Sequence, residues 1–176
     1  PNCYKHTATP MLPKGEGNAP LKYRGLTLFS ALYRTESGAY WHKYRSWMQQ
    51  SAHKGIYGAI EGCECLDDAW ALQAAIEKAI LSNNPLTGCL LDYTKFFDYF
   101  DIDFAWNLMI DAGFPSDVTL QIANLMREII RYLKIGGHFD AKMLGCNGIP
   151  QGCSLSIMIA NIYVTTLCNM LTHHYD

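Results

Sequence analysis

The densest chemical signal in these 176 residues is a loop, Gly148-Ile149-Pro150-Gln151-Gly152, which runs through Cys153-Ser154-Leu155-Ser156 into the apolar stretch 157–163. Glycine leaves backbone amides uncovered and proline fixes its own torsion, so such a loop offers N–H groups at close range to a flat, anionic or aromatic partner. A turn that merely opens a helix uses the same residue types, and the loop by itself leaves both readings open. The second signal is charge. Residues 1–54 carry eight Lys and Arg against two Glu, a net of +6, whereas residues 55–176 carry six against fourteen acidic groups, a net of −8, within an overall −2. The basic segment is interleaved with Tyr23, Phe29, Tyr33, Tyr40, Trp41, Tyr44 and Trp47, a combination that neutralises phosphates and supplies rings for base stacking. A helix with a solvated basic face and an aromatic core face has the same spacing. Cys63-x-Cys65 with His53 nearby could seed a metal site, but no second pair stands at zinc-ligand spacing.

The elements that must position these residues can be read from pattern. Residues 1–20, with Pro10, Pro13, Pro20 and Gly15-x-Gly17, read as extended or loop, and Leu21 to Leu28 alternates as a strand does. Residues 29–50 read as a helix that Ser37-Gly38 can interrupt. A helix follows from Asp67 or Asp68, carrying Trp70, Leu72, Ile76 and Ile80, to about Asn83-Asn84-Pro85. Gly88 to Tyr93 reads as a short buried strand. Asp103 to Ala112 is helical and stops at Gly113-Phe114-Pro115, and Ser116 caps another helix to about Tyr132. Residues 133–144 suit a hairpin around Gly136-Gly137, and the last helix spans Cys153 to His173. Helices alternating with isolated strands predict an α+β architecture. With 49% hydrophobic residues the chain can bury a core. No uninterrupted apolar run approaches the roughly 18 residues of a bilayer span, and no secretory leader pattern stands at the start; the reading is an intracellular protein of nucleus or cytoplasm. Seven cysteines, odd in number and unevenly spaced, predict free thiols.

Several segments together resemble reverse transcriptases. The Gly148–Gly152 loop and its helix are similar to motif B, which supports the templating base and the incoming nucleotide. Leu90-Leu91-Asp92-Tyr93-Thr94-Lys95-Phe96-Phe97-Asp98 resembles motif A, an apolar strand, an aspartate, four residues and Phe-Asp. Met11-Leu12-Pro13-Lys14 and Tyr23-Arg24-Gly25-Leu26-Thr27-Leu28 resemble the fingers segment, and Tyr57-Gly58 with Asp68-Ala69 matches a signature that precedes motif A in non-retroviral retroelements. Order and spacing agree over about residues 11–165. The element type stays open between a non-long-terminal-repeat retrotransposon and a group II intron-like retroelement, because Ala160-Asn161-Ile162-Tyr163 looks like the latter and the segments around Asp68 and Asp92 like the former.

The resemblance implies template-directed deoxynucleotidyl transfer by two Mg²⁺ ions, on an RNA template and a DNA primer with deoxynucleoside triphosphates as substrates. It makes Asp92 the catalytic metal ligand, with the Tyr93 carbonyl as an additional ligand. Lys14 and Arg24 would contact the triphosphate, Arg24 by forking onto phosphate oxygens. Phe97 would lie under the sugar and exclude a ribose 2′-hydroxyl by overlap, while Gln151 and Gly152 would line the nucleotide pocket. Phe96 stands where a smaller residue is common, Gly25 where proline is usual, and Ile157 where proline commonly follows Ser156. The family's third motif, Asp-Asp on a hairpin after motif B, does not occur before Asp176; the pair Asp67-Asp68 lies upstream and matches the Asp-Ala position. The implied fold is therefore the fingers and a partial palm of a right-hand polymerase, truncated before the motif C hairpin. Residues 1–86 would be fingers-like, and 87–176 a partial palm with a fingers-like helical insertion at about 104–144. The chain is expected not to polymerise by itself, other parts of a larger polypeptide or assembly being needed. The alternative is a degenerate domain that serves as a non-catalytic binding or structural subunit.

Overall fold

The computed structural model describes residues 2–17, 22–144 and 147–175. The proline-punctuated start is more regular than its composition suggests: a short helix α1 (Asn2–Lys5) leads into strand β1 (His6–Pro13). Strand β2 (Tyr23–Gly25) lies antiparallel on β1, with Met11 opposite Gly25 and Pro13 opposite Tyr23. This is the strand expected between Leu21 and Leu28, shortened to three residues; Leu28 adds an isolated bridge to Ala8, and Leu21 is outside the described residues. On its other side β1 pairs in parallel with β3 (Ile130–Ile135), which turns back into β4 (His138–Leu144). Gly136 and Gly137 both have positive φ, 56° and 86°, the backbone that a tight hairpin needs and that only glycine adopts without strain. The strand order is β2-β1-β3-β4.

Four longer helices precede the last one or pack against it. Helix α2 (Ala31–Ser51) begins at Ser30, whose hydroxyl oxygen accepts from the Tyr33 N–H at 3.3 Å. Ser37-Gly38 does not interrupt it; the Ser37 hydroxyl donates back to the Arg34 carbonyl at 3.3 Å and the residue is buried. Helix α3 (Cys65–Leu81) opens with a capping box, Asp67 accepting from the Glu64 N–H at 2.6 Å. Asp67 of the Asp67-Asp68 pair thus has a structural task at a helix start. Helix α4 (Ile102–Asp111) is capped by Asp101, which accepts from the Phe104 N–H at 3.0 Å. Helix α5 (Ser116–Arg127) takes Pro115 as its cap, so Ser116 is its first residue and not the cap. It ends before the expected Tyr132 because 130–132 are drawn into the sheet opposite His6, Thr7 and Ala8, a case of long-range pairing overriding helix propensity.

Helix α6 (Ser154–Tyr175) is the spine of the core. Leu155, Met158, Ile159 and Ile162 meet Tyr33 and Met48 of α2, Trp106 and Met109 of α4, and Ile122 and Met126 of α5. Each such side chain removed from water contributes about 1.5–3 kcal/mol. The stretch Ser154–His173, with mean hydropathy 1.4, is long and apolar enough by composition to cross a membrane, contrary to the sequence expectation. Serine, threonine, asparagine and cysteine interrupt its apolar runs without adding charge, so counting uninterrupted runs overlooks it.

The expected buried strand Gly88–Tyr93 is not formed. These residues follow an irregular, exposed path, with Leu90 95% accessible. Helix α3 likewise has no buried residue, and Trp70, Leu72 and Ile80 on it are exposed.

Candidate nucleotide-side loop

Residues 147–153 are clamped between two other segments by backbone contacts. On one side the Gly148 N–H donates to the Phe100 carbonyl at 3.0 Å and the Ile149 N–H to the Phe97 carbonyl at 2.7 Å. On the other the Thr27 N–H donates to the Gln151 carbonyl at 2.7 Å. Both loop glycines are required by this clamp. Gly148 has φ +90°, and a Cβ there would stand 2.5 Å from the Asp98 carbonyl oxygen; Gly152 has φ +114°, and a Cβ there would stand 2.5 Å from the Thr27 carbonyl oxygen. Pro150 is fully buried, and its carbonyl accepts from the Ser156 hydroxyl at 2.8 Å, tying the loop to the first turn of α6.

Beside the clamp lies an open hollow of about 370 Å³ lined by Phe97, Gln151, Gly152, Cys153, Ser154, Ser156 and Ile157. Three of the residues singled out from sequence, Phe97, Gln151 and Gly152, therefore share one cavity. Phe96 meets Phe97 edge to face at 5.4 Å but is not itself part of the hollow's wall. Phe96 belongs to an aromatic cluster with Tyr93, Phe100 and Tyr163, at centroid distances of 5.5, 5.2 and 5.9 Å, so its bulk is absorbed beside the hollow and not in it.

Lys14 and Arg24 are exposed beside the β1–β2 pairing, where Arg24 lies opposite Leu12. Arg24 stands three residues before Thr27, whose backbone touches the loop, so a cation lies along the chain next to the clamp. Neither cation is in an ion pair among the described residues; the pairs there are Lys5–Glu128, Arg45–Glu61 and Arg127–Asp103. Asp92 is exposed and is not part of the hollow's wall, and the Tyr93 side chain borders a different cavity with Phe96 and Tyr163.

A family model described as reverse transcriptase (RNA-dependent DNA polymerase) matches residues 12–176. The chain belongs to the reverse transcriptase family. No curated protein matches it. Members of the reverse transcriptase family act on a nucleic-acid template and primer with nucleotide substrates, and generally with a divalent metal.

The residues present do not fit a two-ion centre. Among the described residues no group of three or more His, Cys, Asp or Glu side chains stands close enough to hold a metal. Asp92 is one carboxylate on an exposed segment, and hard divalent ions need several oxygens at fixed distances. The His53 and Cys63-x-Cys65 combination forms no such group either; the His53 Nδ1 accepts from the Gly55 N–H at 3.1 Å. Cys63, Cys65, Cys89, Cys153 and Cys168 are free thiols, as expected, while the side chains of Cys3 and Cys146 are outside the described residues.

Residues that sequence reading missed are those that hold the loop from outside. Thr27 was visible only as part of a fingers motif, and the signal for its contact is the glycine at 152, whose missing Cβ leaves room for a backbone. Asn161 had an additional role that no spacing announces: its amide donates to the Gly58 carbonyl at 2.9 Å and faces the Met48 sulfur at 3.3 Å.

Proposed function

We propose that this chain is the fingers and part of the palm of an RNA-directed DNA polymerase from a retroelement, with residues 1–86 fingers-like and 87–176 palm-like around a helical insertion at about 104–144. The observation that carries the reading is the clamp: one loop, through two glycines that no other residue can replace without collision, joins the end of the motif A-like segment at Phe97 to Thr27, just beyond β2. A polymerase needs a surface where base, sugar and triphosphate meet groups from three separate parts of the chain. Here Gln151 and Gly152 would face the base and sugar, Phe97 would limit the sugar's 2′ side, and Arg24 and Lys14 would reach the phosphates. Asp92 and the Tyr93 carbonyl would be the ligands that this segment contributes to Mg²⁺.

The test is made on the purified chain with an RNA template annealed to a DNA primer. Fluorescence anisotropy should detect duplex binding that weakens with salt, as phosphate contacts require, and Arg24→Ala should reduce nucleotide affinity. Addition of Mg²⁺ and deoxynucleoside triphosphates should give no extension, for want of a complete metal centre. Robust extension would overturn that second expectation, and absence of both duplex and nucleotide binding would overturn the polymerase reading itself.

A further inference from the structure

Behind the clamped loop lies a buried pair that the proposed function does not use. The Tyr33 hydroxyl and the Cys153 sulfur are 2.9 Å apart, a hydrogen bond in which either atom can donate. Both residues are 4% exposed. Tyr33 cannot swing away readily: its ring stacks on Phe29 at 4.4 Å, meets the edge of Tyr4 at 6.0 Å, and its N–H is held by the Ser30 cap. Cys153 directly follows Gln151-Gly152, and its carbonyl accepts from the Ser156 N–H at 3.1 Å. The pair thus joins the first turn of α2 to the joint between loop and α6. Thr27, the other outside contact of the loop, lies just before the same α2 start.

Burial pushes the Cys153 thiol above its usual range, although the hydrogen bonds from Tyr33 and from the backbone of Leu155 and Ser156 pull the other way. Burial also raises the Tyr33 phenol, with the neighbouring Cys153 adding to the rise. Both groups are neutral at ordinary pH, so Cys153 is no thiolate nucleophile. A neutral, buried hydrogen-bonded pair has a geometric role.

We propose that Tyr33 and Cys153 are positioning residues, which set the placement of the Gln151-Gly152 loop against Thr27 and thereby its fit to a deoxynucleotide. The claim rests on the nucleotide reading of the hollow. Cys153 also touches that hollow, whereas Tyr33 is not part of its wall, so a change at Tyr33 reports on positioning alone.

The experiment compares the wild-type chain with Tyr33→Phe, Cys153→Ala, Cys153→Ser and the double variant Tyr33→Phe/Cys153→Ala. Two quantities are read: dATP affinity by saturation-transfer NMR with MgCl₂, and exchange of the Thr27 amide hydrogen. Tyr33→Phe and Cys153→Ala should each weaken dATP about fivefold, the factor for one net hydrogen bond, and speed Thr27 exchange by a similar factor. Cys153→Ser, which restores an O–H partner, should stay within about twofold of wild type, and the double variant should be no worse than either single change. Unchanged affinity and exchange in Tyr33→Phe, or equal loss in Cys153→Ser and Cys153→Ala, would overturn the proposal. If the wild type itself binds no dATP the nucleotide reading fails, and a Thr27 exchange rate indifferent to Tyr33→Phe would then sink the pair separately. Should Tyr33→Phe not fold, the Ser and Ala variants at 153 decide.

Discussion

Replacing Gly152 by alanine tests the clamp most directly. The new Cβ would sit 2.5 Å from the Thr27 carbonyl oxygen, with the Leu26 side chain 3.4 Å away on the same side, at a backbone φ of +114°. The backbone conformation alone costs of order 1–3 kcal/mol for a residue with a Cβ. Forcing a methyl into a filled contact costs about 1–3 kcal/mol more. If the loop retreats instead, the bond from the Thr27 N–H to the Gln151 carbonyl, 2.7 Å long, is lost at about 1 kcal/mol. The expected destabilisation is therefore about 2–6 kcal/mol, at the lower end if the loop retreats, a large part of the total stability of a domain of this size.

Gly38→Ala supplies the control of opposite sign. Gly38 lies inside α2 with nothing within 4 Å of the added Cβ and no positive φ, so alanine should stabilise by about 0.5–1 kcal/mol. Urea unfolding followed by circular dichroism measures both, provided the slopes agree with wild type. A Gly152→Ala midpoint that matches wild type within error would mean that the loop does not press on Thr27, and the hollow would lose its wall. Gly148→Ala, aimed at the Asp98 carbonyl at 2.5 Å, should behave like Gly152→Ala and separates the two sides of the clamp.

Three further outcomes are expected. Thr9 has a buried hydroxyl with no partner among the described residues, so Thr9→Val should raise stability by about 1 kcal/mol in the same unfolding experiment; a loss would show that the hydroxyl is satisfied. The buried Cys153 thiol, raised from 9.0, contributes stability that is complete below the unfolded thiol's value and is lost as pH rises through the folded one. Melting temperature should accordingly fall above pH 9.0, and less steeply in Cys153→Ser; parallel slopes would refute the assignment. Hydrogen exchange should find the amides of α3 far less protected than those of α4 and the first half of α6, because α3 has no buried residue; equal protection would show that α3 is covered.

Much of this arrangement was legible because short-range chemistry dictates it. The hairpin at Gly136-Gly137, the stop of α4 at Gly113 and the Pro-Gln-Gly turn before α6 all depend on residues within a few positions of one another. The end of α5 was not legible, since Ile130 to Tyr132 continue its pattern and only the distant β1 reassigns them. Phe97, Gln151 and Gly152 could be named as neighbours from the family's motif order, while Tyr33 and Cys153 could not: they are 120 residues apart, and nothing in either one's local sequence points to the other.

Asp92 shows where such reading meets its physical limit. A strand holds its shape when its N–H and C=O rows are paired and one face is covered, and an isolated extended segment gains neither. The strands that do pair, β1 to β4, form one sheet to which residues 88–93 add no ladder. Leu90 and Leu91 are left 95% and 68% accessible. Five residues beyond Asp92 the situation reverses: after Lys95 at φ +48° the chain turns, and the Phe97 carbonyl is fixed by the Ile149 N–H at 2.7 Å. The proposed site therefore divides between a locked part, Phe97 with the Gln151 loop, and Asp92, which is exposed and has no hydrogen bond or ion pair among the described residues. Metal affinity depends on holding carboxylate oxygens to within tenths of an ångström, whereas stacking and shape exclusion tolerate more. If the hollow takes a nucleotide as proposed, Asp92→Asn should change dATP affinity far less than loss of the Gly152 clamp, and equal losses would refute this division.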